Sequence, residues 1–218
     1  MLKRNGLSIV LVALFVISLA GQAVTGWKDM NDDARDHGAP TVSFSGYFST
    51  GHFWEATGEN WESEFLQMAL FVLLTTFLYQ KGSAESKRVD AVEEIDLDPR
   101  RFSDAPDAPG PVRRGGWQLR LYENSLGLAF VILFLFSFAM HGVGGLHEYN
   151  ANREEHGNPP VALSEYMLSS RFWFESFQNW QSEFLSLAAM VVGTIFLRQR
   201  GSAESKPVHS PHAETGRA

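Results

Sequence analysis

Cysteine is absent from the 218 residues, which excludes disulfides and thiolate metal sites and leaves the redox compartment open. A basic excess is missing too: the formal net charge is −7, and binding nucleic acid would require a concentrated basic face. Neither a Gly-rich phosphate loop nor an HExxH or GxSxG pattern occurs, so no cofactor is implied and enzymatic chemistry has no motif to rest on. Apolar sequence is scarce outside four segments, Leu7 to Val24, Phe65 to Tyr79, Leu126 to Val143 and Phe184 to Leu197. A helix of roughly 18 to 20 residues crosses a hydrocarbon layer of about 30 Å. The first and third segments reach that length unaided. The second and fourth reach it by starting near Trp61 and Trp180, which brings Glu64 and Glu183 to the membrane edge.

What is present is a repeat. Asn5 to Lys87 aligns without a gap on Asn124 to Lys206, with about two positions in five identical. Asn60-Trp61-Glu62-Ser63-Glu64-Phe65-Leu66 recurs as Asn179-Trp180-Gln181-Ser182-Glu183-Phe184-Leu185, and Gly82 to Lys87 recurs unchanged as Gly201 to Lys206. The expected fold is therefore all-α and integral to the membrane: four transmembrane helices arranged as two tandem helical hairpins. Two spans per copy make the repeat parallel, with a pseudo-twofold axis along the membrane normal. The expected divisions are a first hairpin over 1–87, a disordered cytoplasmic linker over 88–117, a second hairpin over 118–206 and a disordered tail over 207–218, the linker and tail being rich in polar residues. Lys3 and Arg4 ahead of an apolar stretch, with small residues at Ala20 to Ala23, imitate a cleavable secretory signal. The matching segment Leu126 to Val143 lies mid-chain, which argues for a retained helix.

Basic residues set the orientation. Lys81, Lys87, Arg88, Arg113, Arg114, Arg120, Arg198, Arg200 and Lys206 join Lys3 and Arg4 on one side, against Lys28, Arg35, Arg153 and Arg171 on the other, so both termini are expected in the cytoplasm. The outer loops, about thirty residues each, exceed a simple helix-to-helix turn. Their aromatic stretches, Ser45 to Thr57 and Ser164 to Phe177, fit short interfacial helices.

The pairing of NWxSEFL at the head of a span with GSxESK just after it resembles a bacterial membrane-protein family known as domain of unknown function 6766. The resemblance covers both halves and all four spans, and each motif occurs twice. It implies a multi-pass protein of the bacterial inner membrane and carries no activity with it. In the second copy Gln181 stands where the first has Glu62.

Six polar residues form the candidate site: Glu64, Glu183, Gln22, His141, Asn60 and Asn179. Asn60 and Asn179 stand where a helix would begin and suit an N-cap. Asn60, Glu64, Gln67 and Thr75 share one helix face, as do Asn179, Glu183, Ser186 and Thr194, and ionisable groups in a span normally face the bundle interior with a partner. Depth arithmetic pairs Gln22 with Glu64 and His141 with Glu183. The stripes read as structural hydrogen bonds between helices, or as a cation or proton site built on Glu64 and Glu183. A metal enzyme would add His37 and His156, but His-Gly-x-Pro reads first as a turn. Gly82 and Gly201 suit left-handed helix ends. The expected role is structural or partner-binding, in contact with lipid and with a membrane or cytoplasmic protein or a further copy of the chain; the alternative is a small cation or proton conductor.

Overall fold

The computed structural model describes residues 2–216; Met1, Arg217 and Ala218, at the outer limits of the expected first hairpin and tail, lie outside them. The described residues are helical and contain no strand. Helices α1 (Leu2–Asp36), α3 (Gly51–Leu74), α6 (Ser125–Glu155) and α8 (Ser170–Phe196) are long, while α2 (Phe44–Tyr47), α4 (Gly110–Arg114), α5 (Gly116–Glu123) and α7 (Leu163–Met167) are short. Two helices, Arg4–Asp36 and Ser125–Glu155, are long and apolar enough to cross a membrane. In α1 only 6% of the most apolar stretch is buried, and Leu7, Val10, Val12, Leu14 and Ile17 stand exposed. Among the described residues the buried side chains, by contrast, are more often polar than apolar, 14 against 9. That distribution inverts the one usual in soluble proteins and fits membrane association.

The chain divides into two compact units, one of residues 1–60 with 137–175 and the other of 61–136 with 176–218. Each unit draws on both halves of the sequence. In the first, α1 and α6 run about three turns beyond their apolar segments and stop in the same way. Gly38 and Gly157 take left-handed φ angles of 69° and 73°, Gly38 N–H donates to Arg35 O, and Ala39 N–H donates to Ala34 O. Gly157 N–H and Asn158 N–H do likewise to Glu154 O and Arg153 O. This is the Schellman closure, in which only glycine adopts the left-handed position at no cost. His37 and His156 sit at these ends with Nδ1 at 2.9 and 2.8 Å from the carbonyls of Asp33 and Asn152.

Beyond each stop the chain doubles back along the helix it has just left. Asn31 and Val42 exchange two bonds, Asn31 Nδ2 to Val42 O at 3.0 Å and Val42 N to Asn31 Oδ1 at 2.8 Å. Asn150 and Val161 exchange the same two at 3.1 and 2.8 Å. The returning loop carries α2 or α7, whose buried Tyr47 and Tyr166 lie against Gly26 and Gly145. Ala23, Tyr47 and Phe53 form an apolar cluster with Leu19, Trp27, Met30 and Val42 around it. The short helices expected over Ser45 to Thr57 and Ser164 to Phe177 are thus shorter, and α3 and α8 begin inside those stretches.

Helices α3 and α6 meet backbone to backbone through glycine. A Cβ on Gly144 would lie 2.5 Å from Glu55 N, one on Gly58 would lie 2.5 Å from His141 N, and one on Gly51 would lie 2.7 Å from Gly144 O. Small residues let helices approach this closely and gain dispersion contacts.

The second unit contains the segment expected to be a disordered tether. It carries 3-10 turns at Glu94–Asp96 and Pro99–Phe102 and the helices α4 and α5, and it buries Val112 and Leu119. Local capping explains the departure: Asp98 accepts from Arg100 N at 3.0 Å, Pro99 opens its helical turn, and Lys87 Nζ bonds Asp96 at 2.6 Å.

Gly144→Ala forces backbone apart at the α3–α6 crossing, whereas a Cβ on Gly21 meets nothing within 4 Å. We expect Gly144→Ala to cost about 1–3 kcal/mol and to lower the melting temperature of the detergent-solubilised protein by several degrees, with Gly21→Ala neutral or slightly stabilising. Equal effects from the two would refute the close crossing.

Candidate functional site

The first unit holds a cluster of five ionisable or hydroxyl side chains from four elements: Glu55 of α3, His141 of α6, Tyr166 of α7, and Arg171 and Glu175 of α8. Arg171 stands between the two acids, with Nε donating to Glu175 Oε1 at 2.8 Å and Nη2 at 3.5 Å from Glu55 Oε1. Glu175 Oε2 accepts from Tyr166 OH at 3.2 Å and lies 3.5 Å from His141 Nε2. His141 is fully buried and stacks on Phe172 with ring centroids 4.6 Å apart. The Tyr149 ring lies beneath the Arg171 guanidinium at 5.8 Å.

One cation between two carboxylates divides them unequally. Glu55 lies ahead of Trp61, outside the segment expected in the membrane, yet only 8% of it is exposed and its Oε1 has no hydrogen bond. Burial pushes its carboxyl up to about 7, reinforced by the charge of Glu175 and opposed by Arg171. For Glu175 burial acts upward as well, but the bonds to His141 and Arg171 outweigh it and hold the group below the ordinary carboxylate range. Tyr166 is driven up by burial and then by Glu175 and Glu55. The arrangement can hold one proton near neutrality on Glu55 while Glu175 stays ionised. Among the described residues no set of three or more His, Asp or Glu side chains is disposed to hold a metal ion.

Of the six residues singled out from sequence, His141 alone joins this cluster, and its partner is Glu175, eight residues ahead of Glu183 along α8. Gln22 likewise donates to Thr57 Oγ1 at 3.2 Å, seven residues ahead of Glu64 on α3. Both expected pairings are therefore displaced by about two turns, because the loop that doubles back starts α3 near the level of Gly26 and α8 near that of Gly145. The same early start overturns the capping role: Asn60 lies within α3 and donates to Ala56 O at 2.7 Å, and Asn179 lies within α8.

The remaining polar contacts belong to the second unit. Glu64 is exposed and Glu183 half-buried, and they are close enough for the charge of one to act on the other. The buried acid of the NWxSEFL motif is instead Glu62, fully enclosed and accepting from Trp180 Nε1 at 2.9 Å. Gln67 donates to Glu183 O at 2.7 Å and to Ser186 Oγ at 3.1 Å, so the polar stripes of α3 and α8 meet each other.

GSAESK forms a loop rather than a helix end, several residues beyond each helix, and takes the same shape twice. Gly82 and Gly201 have φ of 88° and 84° within turns closed by Ser83 N to Gln80 O and Ser202 N to Gln199 O. Ser86 and Ser205 accept from the N–H of Gln80 and Gln199 at 2.8 and 2.9 Å, and Ser83 and Ser202 accept from Glu85 and Glu204 at 3.0 and 3.1 Å.

Residues 1–217 match a protein family described as domain of unknown function DUF6766. The chain belongs to this family. No curated protein and no solved structure matches.

The Glu55 cluster has a definite pH consequence. A carboxyl raised from 4.5 to about 7 on folding stabilises the fold below the lower value, and that stability is lost as pH rises through the higher one. Across that window the loss amounts to about 3 kcal/mol at 1.36 kcal/mol per pKa unit. Glu148, Glu175, Arg171 and His141 all act on the group, so we compare melting temperatures of wild type and Glu55→Gln between pH 5 and 8. Wild type should melt lower as pH rises and the variant should lose most of that slope; parallel profiles would rule the assignment out.

Proposed function

We propose that this DUF6766 protein is a structural or partner-binding protein of the bacterial inner membrane, with four spans built as two parallel-repeat hairpins and both termini in the cytoplasm, and that it is not an enzyme. The inverted distribution of side chains carries the reading: α1 and α6 expose apolar surface, while ionisable and amide groups are turned inward and bonded to one another. Beyond Trp61 and Trp180, α3 and α8 carry the apolar runs proposed as two further spans, despite Glu62, Glu64 and Glu183. The repeated Asn–Val contacts, Schellman closures and GSAESK loops support the duplication. The proposed partners are lipid and a membrane or cytoplasmic protein.

A second reading, a small cation or proton conductor, is favoured by the exposure of Glu64 and its charge interaction with Glu183. Proteoliposomes separate the two. On the structural reading, purified protein gives no flux above empty vesicles under a proton, sodium or potassium gradient; flux that disappears in a Glu64→Gln, Glu183→Gln double mutant would establish conduction instead. The chain's lack of cysteine also allows a topology test. Asp33→Cys should react with an impermeant maleimide in intact cells and Asp104→Cys only after lysis, and the reverse pattern would overturn the orientation.

A further inference from the structure

The two GSAESK loops have the same sequence and the same internal bonds, but their surroundings differ. Gly82, Ser83, Ala84 and Ser86 are buried, whereas Gly201, Ala203 and Glu204 are exposed. The first loop is covered by the tail and by α8, whose Thr194 Oγ1 lies 3.0 Å from Ser83 Oγ and accepts from Ala84 N–H at 3.2 Å. Gly82 N–H donates to Thr215 Oγ1 at 2.8 Å, Gly216 N–H donates to Ser83 O at 2.9 Å, and the buried Lys206 Nζ donates to Gly82 O at 2.5 Å. Lys206 Nζ also reaches the carbonyls of Pro211, His212 and Glu214, at 3.3, 3.0 and 2.7 Å, which folds residues 207–216 into a compact strap where a disordered tail was expected. A loop of this shape thus receives a hydroxyl followed by glycine through its own backbone.

The second loop presents the same backbone groups to open space. A Cβ on Gly201 would meet nothing within 4 Å, whereas on Gly82 it would lie 2.6 Å from His212 O of the tail. Beside it lies a cleft of about 640 Å³ lined by residues 199–203 and 205–209. We propose that the Gly201–Lys206 loop is a docking site for the tail of a second copy of this chain, its Thr215 and Gly216 seated on Gly201 and Ser202 as they are on Gly82 and Ser83 within one chain. Thr215 lies nine positions beyond Lys206, a reach of about 30 Å when extended. Docking there trades the contacts to Gly82 N–H and Ser83 O for their counterparts at Gly201 and Ser202, against loss of the tail's bonds to Lys206 Nζ.

The test uses the full chain in vesicles, with Lys81→Cys and Arg200→Cys at equivalent exposed positions beside the two loops and Ala213→Cys on the tail, which lines one cleft with Lys81 and leaves Thr215 in place. A chain carrying both Lys81→Cys and Ala213→Cys should close an internal disulfide on mild oxidation. Mixed single-cysteine chains, Arg200→Cys with Ala213→Cys, should form a covalent dimer. Its yield should be several-fold above the control mixture of Lys81→Cys with Ala213→Cys, should rise as the lipid-to-protein ratio falls, and should drop when a peptide of residues 207–216 is added. A dimer yield equal to the control, with the internal disulfide intact, would overturn the proposal by confining the tail to its own chain. Failure of the internal disulfide would overturn it by removing the contact on which it is patterned.

Discussion

The register of the first unit depends on one contact made twice, the two-point amide bond by which Asn31 clasps Val42 and Asn150 clasps Val161. A buried backbone N–H and C=O leaving a helix must find partners, and the Asn side chain supplies both a donor and an acceptor at one position. With the clasp closed, the loop descends along the preceding helix and delivers a tyrosine to a glycine on it. The next helix then starts two turns lower than a simple hairpin would allow. That displacement brings Thr57 to Gln22 and Glu175 to His141. Without the clasp the buried cluster has no reason to assemble.

The cluster also depends on missing side chains. Glu55 enters it because Gly144 and Gly145 let α3 and the Tyr166 hydroxyl come closer to α6 than any Cβ would permit. At that distance two acids share a dry space with one guanidinium, and an unpaired buried charge is costly enough that one acid takes a proton instead. Arg171 bonds Glu175 at 2.8 Å and reaches Glu55 only at 3.5 Å, which decides which acid stays ionised.

The all-helical class, the apolar character of α1 and α6 and the family were legible in the sequence. Their signals are local: periodicity, length and motif. The site was legible only at His141. Glu55, Arg171 and Glu175 occupy stretches whose aromatic content drew attention to Tyr47, Trp54, Tyr166 and Trp173, and nothing in their spacing announces that a loop will double back. The usable clue was Asn31 and Asn150, identical across the copies among largely different neighbours just before His-Gly-x-Pro. An Asn retained where a helix is about to stop is a clasp for the returning chain. The NWxSEFL acids misled for a related reason: identity at Glu64 and Glu183 suggested an inward pair, whereas the copies differ at Glu62 and Gln181 because there the environments differ.

That difference extends along both halves and bears on where function lies. At positions that correspond in sequence, Gln22 faces His141, His52 faces Arg171, and Thr57 faces Ser176, while Glu55 and Glu175 have no acidic counterparts at Phe174 and Ala56. The first copy satisfies this level with hydrogen bonds and no carboxylate of its own joined to an arginine, Gln22 to Thr57 at 3.2 Å and Tyr47 to His52 at 2.8 Å. The second turns the same scaffold into a charged site and borrows Glu55 from the first copy to complete it. Equal shape with unequal charge is the arrangement expected when one half keeps a structural duty and the other is free to acquire a titrating group. The GSAESK loops divide along the same line, one enclosed within the fold and the other open. Both asymmetries leave the second copy's loop and its ionisable cluster as the parts of the molecule that respond to what surrounds it.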